Sequence, residues 1–122
     1  MNLDLFLEDL SENQKEIILF LHQQFLDYPE IQCKFRYHIP FFYFKSWLCY
    51  LNPKNKIDGF ELVFIYGKRM YDESGLLEVR GRKQVAGIMI NSLDEILIST
   101  INELFAQAII LDEEIAAARK RK

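Results

Sequence analysis

Two histidines and two cysteines are all that this 122-residue chain has of two residue types that often carry metal or nucleophilic chemistry, and it has a single tryptophan. Cys33 and Cys49 are too few and too unpatterned for the disulfide scaffold of a small secreted domain. No apolar run approaches the roughly 20 residues that a helix needs to cross a bilayer, so no membrane partner is expected. Met1 to Leu10 holds Asp4, Glu8 and Asp9 but no positive charge, unlike the start of a secretory signal. These absences together predict a cytoplasmic protein. A net charge of −3 and a pI of about 5.4 provide no overall positive field for nucleic acid, and none is expected as a partner.

Aromatic residues are abundant. Ten Phe, six Tyr and one Trp make 14% of the chain, and half of all residues are apolar, which argues against disorder. Each aromatic ring buries on the order of 150–250 Å², so these side chains should dominate the core. A chain of this size buries roughly 65–70% of its unfolded surface, enough for one core without staples. We read residues 1–122 as a single domain with its core over about 10–118, without internal repeat or linker.

Ser11 followed by Gln14 has capping-box spacing and predicts a helix from Ser11 to about Asp27, with Ile17, Ile18, Leu21 and Phe25 on one face. Tyr28–Pro29 ends it, because a residue before proline is pushed out of the α region. Met1 to Leu10 is either a short helix or an extended arm. From Ile31 to Ile90 the pattern is β. Phe35, Tyr37 and Ile39 alternate with Lys34, Arg36 and His38 as in a half-buried strand. Phe42 to Leu51 reads as a second strand, and Asn52 to Lys56 as the turn of a hairpin. Phe60 to Tyr66 reads as a third strand, and Glu78 to Arg82 with Val85 to Ile90 as a last pair. Ser92 and Glu95 again have capping-box spacing, ahead of a helix along Leu97, Ile101, Leu104, Phe105, Ala108 and Leu111. The fold class is α+β: an antiparallel sheet of about five strands packed against N- and C-terminal helices.

Alternation places Phe60, Leu62, Phe64 and Tyr66 on one face of the third strand, and Val63 and Ile65 on the other. Both faces are apolar mid-sheet, while two helices cover only one. Loops, a ligand or a second copy of the chain must cover the other.

Ile39–Pro40–Phe41–Phe42–Tyr43, Cys49–Tyr50–Leu51, Gly75–Leu76–Leu77–Glu78, Gly81–Arg82–Lys83 and Ile88–Met89–Ile90 occur in that order before the terminal helix. This set, spread from about Leu10 to Leu111, resembles the bacterial YdhG-like domains of unknown function, which are grouped with frataxin-like folds. The resemblance implies a two-layer sandwich of sheet and helices. It also raises iron binding as an alternative function. Frataxins use an acidic ridge, and the matching positions here are Glu12, Glu16, Asp27 and Glu30. Lys15, Lys34 and Arg36 interrupt that pattern, so iron is the cofactor of the alternative only, and otherwise none is expected.

Catalytic residues are not apparent. Cys33 and His38 differ by an odd number of positions and point apart on a regular strand, and a triad would need His38 beside Cys49 or Ser46. Arg80, Arg82 and Lys83 can hold an anion or pair with the nearby Glu78. The reading that remains is a non-enzymatic binding or interaction module. Its aromatic sheet, through Phe42, Phe44, Trp47, Tyr50, Phe64 and Tyr66, would support self-association into a homo-oligomer or hold a small apolar ligand.

Overall fold

Ser11 caps the second helix as its spacing predicts. Its side chain accepts from the Gln14 amide at 3.1 Å, and Gln14 Oε1 accepts from the Ser11 amide at 3.2 Å. In this computed structural model, which describes residues 1–121, the elements run in the order α1 (Leu3–Glu8), α2 (Glu12–Leu26), β1 (Gln32–Arg36), β2 (Ile39–Tyr43), β3 (Trp47–Lys54), β4 (Gly59–Phe64), β5 (Ala86–Ile90) and α3 (Glu95–Lys120). The undecided N-terminal stretch is therefore a short helix, which buries Phe6 against Phe35 and Phe60.

All five strands pair antiparallel with their sequence neighbours, in the order β1-β2-β3-β4-β5. The count agrees with the sequence reading, but the strands are cut elsewhere. Tyr37 and His38 do not extend the first strand; both take positive φ, 54° and 64°, and form a two-residue hairpin turn. The predicted strand from Phe42 to Leu51 is broken at 44–46, with a register shift between Phe42 and Tyr43. β3 runs on to Lys54, so its hairpin turns later, through a 3-10 segment at Asn55–Ile57. Residues 78–82 are not a strand: Glu78 alone bridges Gly87, and Arg80 and Gly81 at φ 50° and 74° turn the chain away.

Cα register assigns the faces directly. The rows Cys33–Phe42–Cys49–Phe64–Ala86 and Leu51–Leu62–Ile88 lie under the helices. They meet Ile17, Ile18, Leu21 and Phe25 of α2 and Ile101, Leu104 and Phe105 of α3 in one core. Burying each such side chain contributes roughly 1.5–3 kcal/mol. α3 begins two residues later than Ser92 suggests: Asp94 is the N-cap and accepts from the Leu97 amide at 2.7 Å. No helix among the described residues is long and apolar enough to cross a membrane.

Three polar side chains are buried among the described residues. Gln14 donates to the Gly59 carbonyl at 3.0 Å, and with Asn13, which donates to the carbonyls of Asp58 and Asn91, ties the start of α2 to the sheet. Asp112 of α3 accepts from the amides of Lys45 and Ser46 at 2.8 and 3.0 Å and from the Ser46 hydroxyl, closing the β2–β3 turn. Asp112→Ala strands two amides in a part-buried turn and should lower stability by about 2–3 kcal/mol. Urea denaturation checks this, as a shifted midpoint at unchanged slope; a loss below about 0.5 kcal/mol would show that the turn closes without the carboxylate. The third, Glu61, lies on the other face of the sheet.

Candidate functional site

The row Lys34–Phe41–Tyr50–Val63–Gly87 crosses the sheet on the face that α2 and α3 leave open. Next to it runs the row Asn52–Glu61–Met89. The open face therefore has an aromatic half on β2 and β3 and a charged half on β3, β4 and β5.

The aromatic half is a connected panel. Phe41 stacks on Tyr50 at a centroid distance of 4.7 Å and meets Trp47 edge-on at 5.4 Å, while Tyr43 meets Trp47 at 5.1 Å. Two cations from β1 lie over it, Lys34 Nζ at 4.5 Å from the Tyr43 centroid and Arg36 Cζ at 5.0 Å from that of Trp47. Each such contact contributes about 0.5–1 kcal/mol when exposed. Phe41 is 8% exposed, Tyr43, Trp47 and Tyr50 are half-buried, and Tyr37 at the hairpin tip is 79% exposed.

In the charged half, Glu61 is only 2% exposed and takes three cations. Arg80 Nη2 donates to Oε2; Arg82 Nη2 donates to the same oxygen at 3.0 Å, and Lys54 Nζ stands 3.9 Å from Oε1. Arg82 also donates to the carbonyls of Val79 and Glu78, which fixes the 78–83 segment over the sheet. The partner of these arginines is Glu61, not the neighbouring Glu78 side chain that sequence proximity suggests. Gly87 makes room for the carboxylate, since a methyl group there would collide with it. The open face is thus closed in part by its own chain, through one loop and two cationic side chains.

The six residues read from the sequence as the contact region are divided by this geometry. Trp47 and Tyr50 lie on the open face. Phe42 and Phe64 are 0% exposed under the helices, so neither belongs to an exposed surface. Phe44 packs against the core from the β2–β3 turn. Tyr66 falls beyond β4, where its hydroxyl accepts from Arg119 Nη2 at 3.3 Å. Phe41 and Tyr43 were missed: β2 alternates without interruption, Phe42 and Phe44 face the core, and the sequence reading picks the wrong one of the two sets. The extra residue of the bulge, Leu48, is on β3 and leaves Trp47 on the same side as Tyr50. Glu61 was missed because one carboxylate inside an apolar run carries no local sign of its partners.

The other candidates are scattered. Both cysteines flank Phe42 on the helix-covered side. Burial pushes the Cys33 thiol up to about 11 and holds Cys49 well above the usual thiol range, so neither is a thiolate near neutrality. His38 sits in the β1–β2 turn, and the Ser46 hydroxyl donates to Asp112. Glu12 pairs with Lys15 at 3.2 Å, Asp27 accepts from Gln23 at 3.0 Å, and Glu30 lies in the loop before β1. Among the described residues no three His, Cys, Asp or Glu side chains come close enough together to hold a metal ion. Comparison with known proteins gives no match, whether to family models, to curated proteins or to solved structures.

Proposed function

We propose that the chain is a non-enzymatic binding module whose open sheet face takes a small anionic ligand with a flat apolar body. The observation that carries this reading is the panel Phe41–Tyr43–Trp47–Tyr50 with Lys34 and Arg36 on top of it. Rings offer a stacking surface, and the two cations favour a negative group above it. A net charge of −3 conceals this, because Lys34, Arg36, Lys54, Arg80 and Arg82 all gather on one face. The apolar ligand expected from the sequence thereby acquires a charge. Face-to-face pairing of two copies is disfavoured, because like charges would be brought together.

Chemistry of the hydrolase or transferase kind finds no support in these residues: both thiols are protonated, and the carboxylate at the Ser46 hydroxyl, Asp112, is buried and already engaged by the Lys45 and Ser46 amides. The order helix, antiparallel sheet, helix and the ordered motifs from Ile39 to Ile90 support kinship with the YdhG-like, frataxin-like group. A cytoplasmic location fits two unpaired cysteines.

Trp47 is the only tryptophan, so its emission reports on this face alone. Titration with 8-anilino-1-naphthalenesulfonate, an aromatic anion, should quench Trp47 by energy transfer and saturate at one dye per chain. Arg36→Glu should weaken binding by about tenfold while folding stability, from urea denaturation, falls by no more than about 1–2 kcal/mol. Trp47 emission that ignores the dye ends the proposal. Sedimentation at the same concentrations reads the competing occupant: a dimer that Trp47→Glu dissolves would assign the face to a second copy.

A further inference from the structure

Beyond the aromatic panel, at the far end of the open face, the β3–β4 hairpin and the 78–83 segment enclose a solvent-open cavity of about 360 Å³. Pro53, Ile57 and Met89 form its apolar floor; Lys54, Lys56 and Arg80 bring the charge, and no carboxylate lines it. Arg80 is held in place without being used up. Its Nη2 donates to Glu61, while Nε and Nη1 have no hydrogen-bond partner among the described residues, and the side chain is 45% exposed. Lys54 is only loosely engaged, at 3.9 Å from Glu61 Oε1, and Lys56 makes no ion pair among the described residues. Around the single carboxylate of Glu61 stand Lys54, Arg80 and Arg82, so positive charge is in excess before Lys56 is counted.

We infer that this cavity is a binding site for a small monocarboxylate with an apolar body. A guanidinium fork whose position is set by a buried partner matches the two oxygens of a carboxylate. Lys54 and Lys56 of the hairpin supply charge without fixed geometry, and the floor takes the apolar portion of the acid. The apolar floor of Pro53, Ile57 and Met89, which a phosphate cannot use, favours a carboxylate with an apolar body over phosphate. The site does not depend on the aromatic panel; either can exist without the other.

The test is an amide and arginine-side-chain NMR titration of the full chain with sodium benzoate, acetate and inorganic phosphate at constant ionic strength. Saturable benzoate shifts are expected at Lys54 to Ile57 and at the Arg80 Nε–H, with weaker binding of acetate, which lacks the apolar body. Lys56→Glu, at an exposed side chain outside every ion pair described, should weaken benzoate by about tenfold, and Arg80→Lys should do so by a similar factor because the fork is lost. Shifts that rise linearly without saturation, or a Lys56→Glu variant that binds benzoate as wild type does, would overturn the proposal. Phosphate binding tighter than benzoate would overturn the assignment to carboxylates. Should Arg80→Lys fail to fold, Lys56→Glu alone decides.

Discussion

Phe105→Ala is expected to cost about 3–5 kcal/mol of folding stability, the largest loss among single truncations in this core. Phe105 of α3 is 0% exposed and stacks on Phe25 of α2, with centroids 4.0 Å apart and planes inclined by 7°. Phe25 in turn stands edge-on to Phe42 at 4.9 Å, and Tyr28 leans on Phe105 from the end of α2 at 5.2 Å. The ring pair is thus the point at which α2, α3 and β2 meet. Its removal leaves a void between two helices that are each anchored elsewhere, α2 through Asn13 and Gln14 and α3 through Asp112, so collapse into the void is limited. Urea denaturation followed by far-UV circular dichroism and by Trp47 emission measures the loss. Because Trp47 lies across the sheet, coincident curves also test whether both faces unfold together. A cost below about 1.5 kcal/mol would mean that the helices close over the gap.

Arg82→Ala is expected to lower stability by about 2–4 kcal/mol, and Arg80→Ala by about 1 kcal/mol. Both arginines bind Glu61, but their surroundings differ. The Arg82 side chain is 27% exposed and holds the carbonyls of Val79 and Glu78 as well as the carboxylate, so its loss frees the 78–83 segment and partly uncovers Glu61. Arg80 is 45% exposed and makes a single contact, which water replaces in part. Removing either leaves the other arginine and Lys54 near the carboxylate, which keeps both costs below that of an unpaired buried charge. Chemical denaturation of the two variants, read side by side, tests the order. Equal losses would mean that the segment is held by something other than the carbonyl bonds of Arg82. The same comparison bears on the proposed carboxylate site, because Arg80 can be released from Glu61 with little loss of fold.

Helix α2 was legible because everything that defines it is local: Ser11 and Gln14 cap it, and Ile17, Ile18, Leu21 and Phe25 recur on one side. The start of α3 was less so. Ser92 and Asp94 are both good N-cap residues, and only the backbone path out of β5 selects Asp94. The turn at Tyr37–His38 left no trace, since neither residue is the Gly, Asn or Asp that usually marks positive φ at a hairpin. The turn at 44–46 was also unseen, so β2 and β3 read as one strand from Phe42 to Leu51, which puts Phe42 and Phe44, two core-facing rings, in the contact region in place of Phe41 and Tyr43. For the third strand, where no bulge intervenes, alternation placed Phe60, Leu62 and Phe64 together, and they lie together under the helices. That both faces would need cover was readable from Val63. That the cover is a loop holding arginines over Glu61 was not.

What the amino-acid order alone determined is therefore the α+β class, one capped helix at the start and one amphipathic helix at the end, with an antiparallel sheet between them. Those properties arise from periodicities and caps within a few residues, where neighbouring side chains interact directly. Tertiary structure decided which rings face the helices, that Lys34 and Arg36 lie over Trp47 and Tyr43, and that Arg80 and Arg82 converge on a carboxylate about twenty positions earlier. Strand register and loop closure join residues distant along the chain. A shift of one position reverses every side chain on a strand, so no local pattern can set the faces alone.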